Sequence, residues 1–160
     1  HLEITKTKGV ELDCRESKFR EAMVFFIKRN FDNYDLLGIL QTKHPDVYFK
    51  NEKILIFDLV KSDLFTQLAH PDTIKMFNYY PTYDLTPTYH QLADLLVEHN
   101  VKAENNTGCY YRYNHKDMGL SEELLKILKE HGVSMITASD AHQPDHVGTN
   151  IADIYEKTML

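Results

Sequence analysis

Tryptophan is absent from this 160-residue chain, and cysteine occurs only twice, at Cys14 and Cys109. Neither cysteine lies in a CxxC pattern, which excludes a zinc ribbon and a thioredoxin-like redox motif. Two cysteines without a framework are expected to be free, buried thiols in a reducing compartment. No apolar run reaches the length of a membrane span and no signal-peptide pattern opens the chain, so the expectation is a cytoplasmic protein that engages no membrane. Positive charge is also scarce: 18 Lys and Arg stand against 24 Asp and Glu, for a net charge of -6. That balance excludes a general binder of nucleic acid or of anionic membranes. It leaves room for a small anionic substrate, which needs only a local positive site. Internal repeats, low-complexity tracts and linkers are missing too, and the length suits one core rather than two, so residues 1–160 read as a single domain.

What the chain does have is histidine, nine in all, and tyrosine grouped at Tyr79-Tyr80, Tyr83 and Tyr110-Tyr111-Tyr113. It opens on His1-Leu2-Glu3 with no Met, which reads as a tag remnant or as a piece of something longer. Ile4 to Val10 alternates as a first strand. Glu16 to Lys28 has helical spacing, with Phe19, Met23, Phe26 and Ile27 on one face. Tyr34 to Leu40 has strand length, the polar stretch Gln41 to Asn51 around His44-Pro45-Asp46 reads as a loop, and Lys53 to Lys61 fits helix or strand. Phe65 to Ala69 is a strand that Pro71 closes. Thr86 caps a helix with Pro87 at its first position and with Tyr89, Leu92, Ala93 and Leu96 as its buried stripe; Asn100 ends it. Val101 to Glu104 is a strand. Ser121 caps the next helix, which Leu124, Leu125 and Leu128 turn inward and Gly132 ends. Ser134 to Ser139 is the last strand, and Asn150 to Lys157 a closing helix. Strands alternating with helices indicate an α/β fold with parallel pairing and right-handed crossovers.

In parallel α/β folds the site lies at the carboxyl ends of the strands. Four strand ends here carry polar or metal-competent groups: Glu11, His70, Glu104 with Asn106, and Asp140 with His142. Asp140-Ala141-His142 is the strongest signal, because a spacing of two puts a carboxylate and an imidazole on the same side of an extended segment, a donor pair that suits Zn, Mn or Fe. The bland readings are a solvated Glu11, a turn histidine at His70, a Glu104 that merely pairs with Lys102, and tyrosines that bury the stem of Arg112.

Gly9-Val10-Glu11-Leu12-Asp13, Leu68-Ala69-His70-Pro71-Asp72, Ala103-Glu104-Asn105-Asn106-Thr107-Gly108 with Tyr111-Arg112, and Ala138-Ser139-Asp140-Ala141-His142 followed by Val147-Gly148 come in an order that resembles the PHP (polymerase and histidinol phosphatase) family, in particular its histidinol-phosphatase branch. The resemblance implies a distorted, TIM-like (β/α)7 barrel with a trinuclear centre of divalent metals. It implies Glu11 bridging two metals, His70 and Asp140 each ligating one of that pair, and His142 holding the third. Asn106 and Arg112 would lie near the substrate, with Arg112 as the phosphate clamp because its planar fork matches phosphate oxygens. Asp140 and His142 would be the catalytic pair. The implied activity is hydrolysis of L-histidinol phosphate in histidine biosynthesis, with a small phosphorylated substrate and no nucleic-acid partner. The chain departs from the family in two places. The opening His-x-His strand and the Asp-His pair after the second strand have no counterpart, so the chain reads as the C-terminal two-thirds of the barrel or as a shortened relative, impaired in isolation. A family ligand histidine aligns with Gln41, whose neutral amide is a poor ligand; His44 replaces it only if the loop bends back. The alternative is a non-catalytic domain that binds a phosphorylated ligand or a protein partner.

Overall fold

Pro45-Asp46 lies in a helix rather than in a loop. In the computed structural model, which describes residues 45–72, 75 and 78–159, helix α1 runs Pro45–Lys61. Proline loses nothing at a first helical position, where its missing N–H has no partner, and the Asp46 carboxylate meets the positive end of the helix. The apolar spacing also runs across the boundary set from the sequence. Phe49 and Val60 are both buried, and Ile56 and Phe57 pack on the core. The loop expected over residues 41–51 is thus corrected from residue 45 onward, and the ambiguous stretch 53–61 is helical. Asp46 fastens α1 to the rest of the chain by accepting from the amide (2.6 Å) and hydroxyl (2.7 Å) of Thr82.

The following elements are β1 (Gln67–Leu68), α2 (Thr86–Glu98), β2 (Lys102–Asn106), α3 (Gly108–Tyr113), α4 (Glu122–Glu130), β3 (Met135–Ala138), a 3-10 turn over Pro144–His146, and α5 (Ile151–Met159). The described strands form one parallel sheet in the order β1-β2-β3. Leu68 stands opposite Ala103, and Asn106 opposite Ala138. Helices connect each strand to its parallel neighbour, as parallel pairing requires. This three-stranded sheet is open, so a closed barrel is not seen among the described residues. Glu11, Cys14, Gln41 and His44, with the strands expected over 4–10 and 34–40 and the helix over 16–28, lie outside them.

Alternation along β2 divides the sheet into two faces. Ala103 belongs to the apolar core with Leu68, Val101 and Val133, under α2 and α4. Helix α2 buries Tyr89, Leu92, Ala93 and Leu96, the stripe expected from its spacing. Helix α4 buries Leu124, Ile127 and Leu128, while Leu125 is only partly covered. Leu125 packs at the edge of the core as expected, and Ile127 joins Leu124 and Leu128 because positions three and four apart share a face. Each fully buried leucine contributes roughly 2 kcal/mol by leaving water. Asn105, on the same face as Ala103, is buried and donates to Thr158 Oγ1 of α5 (2.9 Å), while its Oδ1 accepts the Leu120 amide (2.7 Å). The opposite face of β2 carries Glu104 and Asn106.

The helix ends show where the sequence reading was right and where it shifts. Asn100 (φ +52°) and Gly132 (φ +71°) close α2 and α4 in the left-handed region, as expected. Thr86 is not a cap but the first residue of α2. Leu85 holds the cap position without a side-chain bond; Asp84, just before it, accepts from the amide (2.9 Å) and hydroxyl (2.6 Å) of Thr86, and those two donors hold its carboxyl below the ordinary carboxylate range. Ser121 precedes α4 in an extended conformation but makes no side-chain cap bond; Asp72 Oδ2 accepts its amide instead (2.8 Å). Helix α3 was not expected at all, because six residues are too few to display a 3.6 period. Cys109, within it, is half-buried rather than buried as expected. No helix among the described residues is long and apolar enough to cross a membrane.

Candidate functional site

Glu104 is a deeply buried carboxylate at the carboxyl end of the sheet, at 2% exposure. Its Oε2 accepts from Gln67 Nε2 (2.9 Å) and its Oε1 from Asn106 Nδ2 (2.6 Å). Lys102 is exposed at the start of the same strand, so the simple pairing of these two is replaced by an amide cradle. Burial pushes the Glu104 carboxyl above its ordinary range; the Asn106 donor opposes this, the nearby Asp140 charge adds to it, and the His70 amide and Gln67 oppose it.

Asn106 passes the arrangement onward. Its Oδ1 accepts the Gly108 amide at 2.7 Å. A Cβ on Gly108 would stand 2.9 Å from Asp140 Cβ, 3.0 Å from Asn106 Oδ1 and 3.1 Å from Arg112 Nη2. The missing side chain of Gly108 is therefore what lets three of the expected site residues meet around one point. One turn along α3, Arg112 folds back so that its Nε reaches the Gly108 carbonyl (3.4 Å). Arg112 Nη2 pairs with Asp140 Oδ2. Arg112 Nη1 lies 3.0 Å from Nε2 and 2.6 Å from Nδ1 of His142. His142 Nδ1 is also 2.8 Å from the Asp140 carbonyl. A proton on Nδ1 would serve that carbonyl and leave Nε2 to accept from the guanidinium, which only donates. The Tyr113 ring lies 5.3 Å beneath the guanidinium carbon. Tyr111 ties α3 to the end of β3 by donating to the Ser139 carbonyl (2.8 Å).

Both strand ends that carry candidate ligands hold a backbone that L-residues seldom adopt: φ is +51° at Asp140 and +32° at His70. Such conformations concentrate where a side chain must be aimed. His70 lines a small cleft with Asp72, Asn106, Cys109, His115 and Leu120. His115 was missed by sequence reasoning. It is buried, its Nδ1 accepts the Asp117 amide (3.1 Å), and its Nε2 lies 3.4 Å from the Tyr80 hydroxyl. Nothing in its spacing sets it apart from the other eight histidines.

The structure thus brings together Asn106, Arg112, Asp140 and His142, and it places His70 beside Asn106 in the adjoining cleft. Glu11 lies outside the described residues. Among the described residues, no three His, Cys, Asp or Glu side chains come close enough to share a cation. Asp140 and His142 have the donor chemistry of a Zn, Mn or Fe site, but both face the guanidinium, and a closed donor set needs further ligands.

No family model matches the chain. Over 125 residues, 77% of this chain, it is 26% identical to a protein of Deinococcus radiodurans named "Probable histidinol-phosphatase". The match covers 46% of that relative, so the chain spans less than half of its length.

Proposed function

We propose that this chain is part of a metal-dependent phosphatase that hydrolyses a phosphomonoester, with L-histidinol phosphate as the substrate. The described strands would then be part of a distorted (β/α)7 barrel. The observation that carries this reading is the meeting of Asn106, Arg112 and Asp140 around Gly108, with His142 on the same guanidinium. The name of the Deinococcus relative supports it at the level of a phosphatase.

Arg112 is the group that receives the phosphoryl oxygens. Its planar fork offers paired N–H donors, and it is already desolvated on one side by Tyr113. Asn106 is fixed by Glu104 and Gly108, so it faces the phosphoryl group without having to reorient. The exposed rings of Tyr80 and Tyr110 offer flat apolar surface for the imidazole of the substrate. Glu11, His70, Asp140 and His142 would hold the divalent metals, which when bound supply a hydroxide at neutral pH and neutralise phosphoryl charge.

The test is release of inorganic phosphate from L-histidinol phosphate, with and without Mn2+ or Zn2+. Turnover by this chain alone is expected to be slow, because catalytic metal sites need about three protein ligands. It should still depend on metal and disappear in Asp140→Asn. Orthophosphate binding that needs Arg112, with no bound metal and no turnover, would replace this reading with that of a non-catalytic phospholigand domain. Neither binding nor turnover would remove both.

A further inference from the structure

Two histidines far from the strand-end cluster face each other across a helix pair. His90 lies on α2, with Asp94 one turn further along the same helix. His131 is the C-cap residue of α4. His90 Nδ1 is 2.8 Å from His131 Nε2, and the rings are 5.0 Å apart and tilted by 50°. His131 Nδ1 lies 2.9 Å from Asp94 Oδ1. The carboxylate accepts a proton bond from Nδ1, which leaves the Nε2 lone pair of His131 aimed at His90. A carboxylate behind an imidazole, holding the tautomer and turning the other nitrogen outward, is how proteins prepare a histidine to ligate a metal.

We propose that His90 and His131 form a clip for an imidazole-seeking divalent transition metal, Zn2+, Ni2+ or Cu2+, with Asp94 as the positioning residue behind His131. The ligands are His90 Nδ1 and His131 Nε2, and His90 carries its proton on Nε2 when metal is bound. Since no third His, Cys, Asp or Glu joins them among the described residues, water fills the other positions. Metal–nitrogen bonds of about 2.0–2.1 Å at a tetrahedral angle need the two nitrogens about 3.3 Å apart, roughly 0.5 Å wider than the present hydrogen bond. Both rings are only partly buried, so a small rotation provides that opening and admits water. His131 stands ahead of β3, and Asp140 and His142 beyond it, so the clip lies at the other end of that strand from the proposed phosphatase site and does not depend on it. Loaded, it ties the middle of α2 to the end of α4 and stabilises the packed helix pair by mass action.

Zn2+ titrated into the full chain tests this, read by the imidazole 15N resonances and by thermal unfolding. The ring resonances of both His90 and His131 are expected to move together and the unfolding temperature to rise. His90→Ala and His131→Ala should each abolish the movement of the remaining ring. Asp94→Asn keeps both rings and should weaken Zn2+ binding about 10-fold or more, while an Asp140→Asn chain should bind at the clip as before. Unmoved His90 and His131 resonances at saturating Zn2+ would overturn the proposal and leave a plain hydrogen-bonded pair. So would a Zn2+-dependent stabilisation that survives both alanine variants with their ring signals unchanged in the parent chain.

Discussion

Gly108→Ala puts the convergence of the strand-end residues to a direct test. The added methyl would meet Asp140 Cβ at 2.9 Å, where carbon atoms normally rest at about 3.5–4.0 Å. Two of the three neighbours are poorly able to give way. Asp140 Cβ is fixed by a left-handed backbone, and Asn106 is held at both ends of its amide. Arg112 is left to move, and with it the contacts to Asp140 and His142. Overpacking of this kind costs about 1–3 kcal/mol, and the better helix propensity of alanine returns about 0.5–1 kcal/mol. The net loss is about 1–2 kcal/mol, or roughly 3–8 °C in unfolding temperature for a chain of this size. Orthophosphate affinity should fall about 10-fold or more, since a charge-assisted bond is worth about 1.5–3 kcal/mol. Gly132→Ala is the control. Its φ of +71° strains an alanine, but no atom lies within 4 Å of the new methyl, so it should lose about 1–2 kcal/mol and keep full affinity. Urea unfolding and calorimetric titration with orthophosphate separate the two variants. Equal affinities in both would mean that Gly108 does not gather these side chains.

Asn105→Ala should cost about 2–4 kcal/mol in urea unfolding, because it strands the buried Leu120 amide and removes the tie to Thr158; a loss under about 0.5 kcal/mol would contradict that role. Glu104 sets a pH dependence whose sign follows from burial. Its folded-state pKa is raised above the ordinary 4.5, so the fold favours the protonated carboxyl. Its contribution is present below that ordinary value and is lost as pH rises through the raised one. Glu104→Gln should therefore flatten the fall in stability between acid pH and neutrality, and an unchanged slope in denaturation at a series of pH values would refute the assignment.

Helices α2 and α4 were legible because their apolar residues recur at helical spacing and because Asn100 and Gly132 mark their ends. The start of α1 was misread because His44-Pro45-Asp46 suits a turn and a helix N-terminus equally well, and the choice rests on burial of Phe49, four residues on. The turn that Asp84 makes ahead of α2 was hidden by Thr86, which is itself a good capping residue. At the site, the pairing of Asp140 with His142 could be seen in their spacing, and Arg112 in its place after a strand. The cradle of Gln67, Asn106 and the His70 amide around Glu104 could not, since it depends on the register of β1 against β2, which local sequence does not encode. His115 and the pair His90–His131 escaped for the same reason: partners some 35 or more residues apart come together only when helices pack.

The most direct measurement is titration of orthophosphate into the 15N-labelled chain. The largest shifts are expected at the Gly108 amide, the Asn106 side-chain amide, Arg112 Nε and the Asp140 amide, all abolished by Arg112→Gln. Shifts confined to other parts of the chain, or the same shifts persisting in Arg112→Gln, would contradict the proposed site.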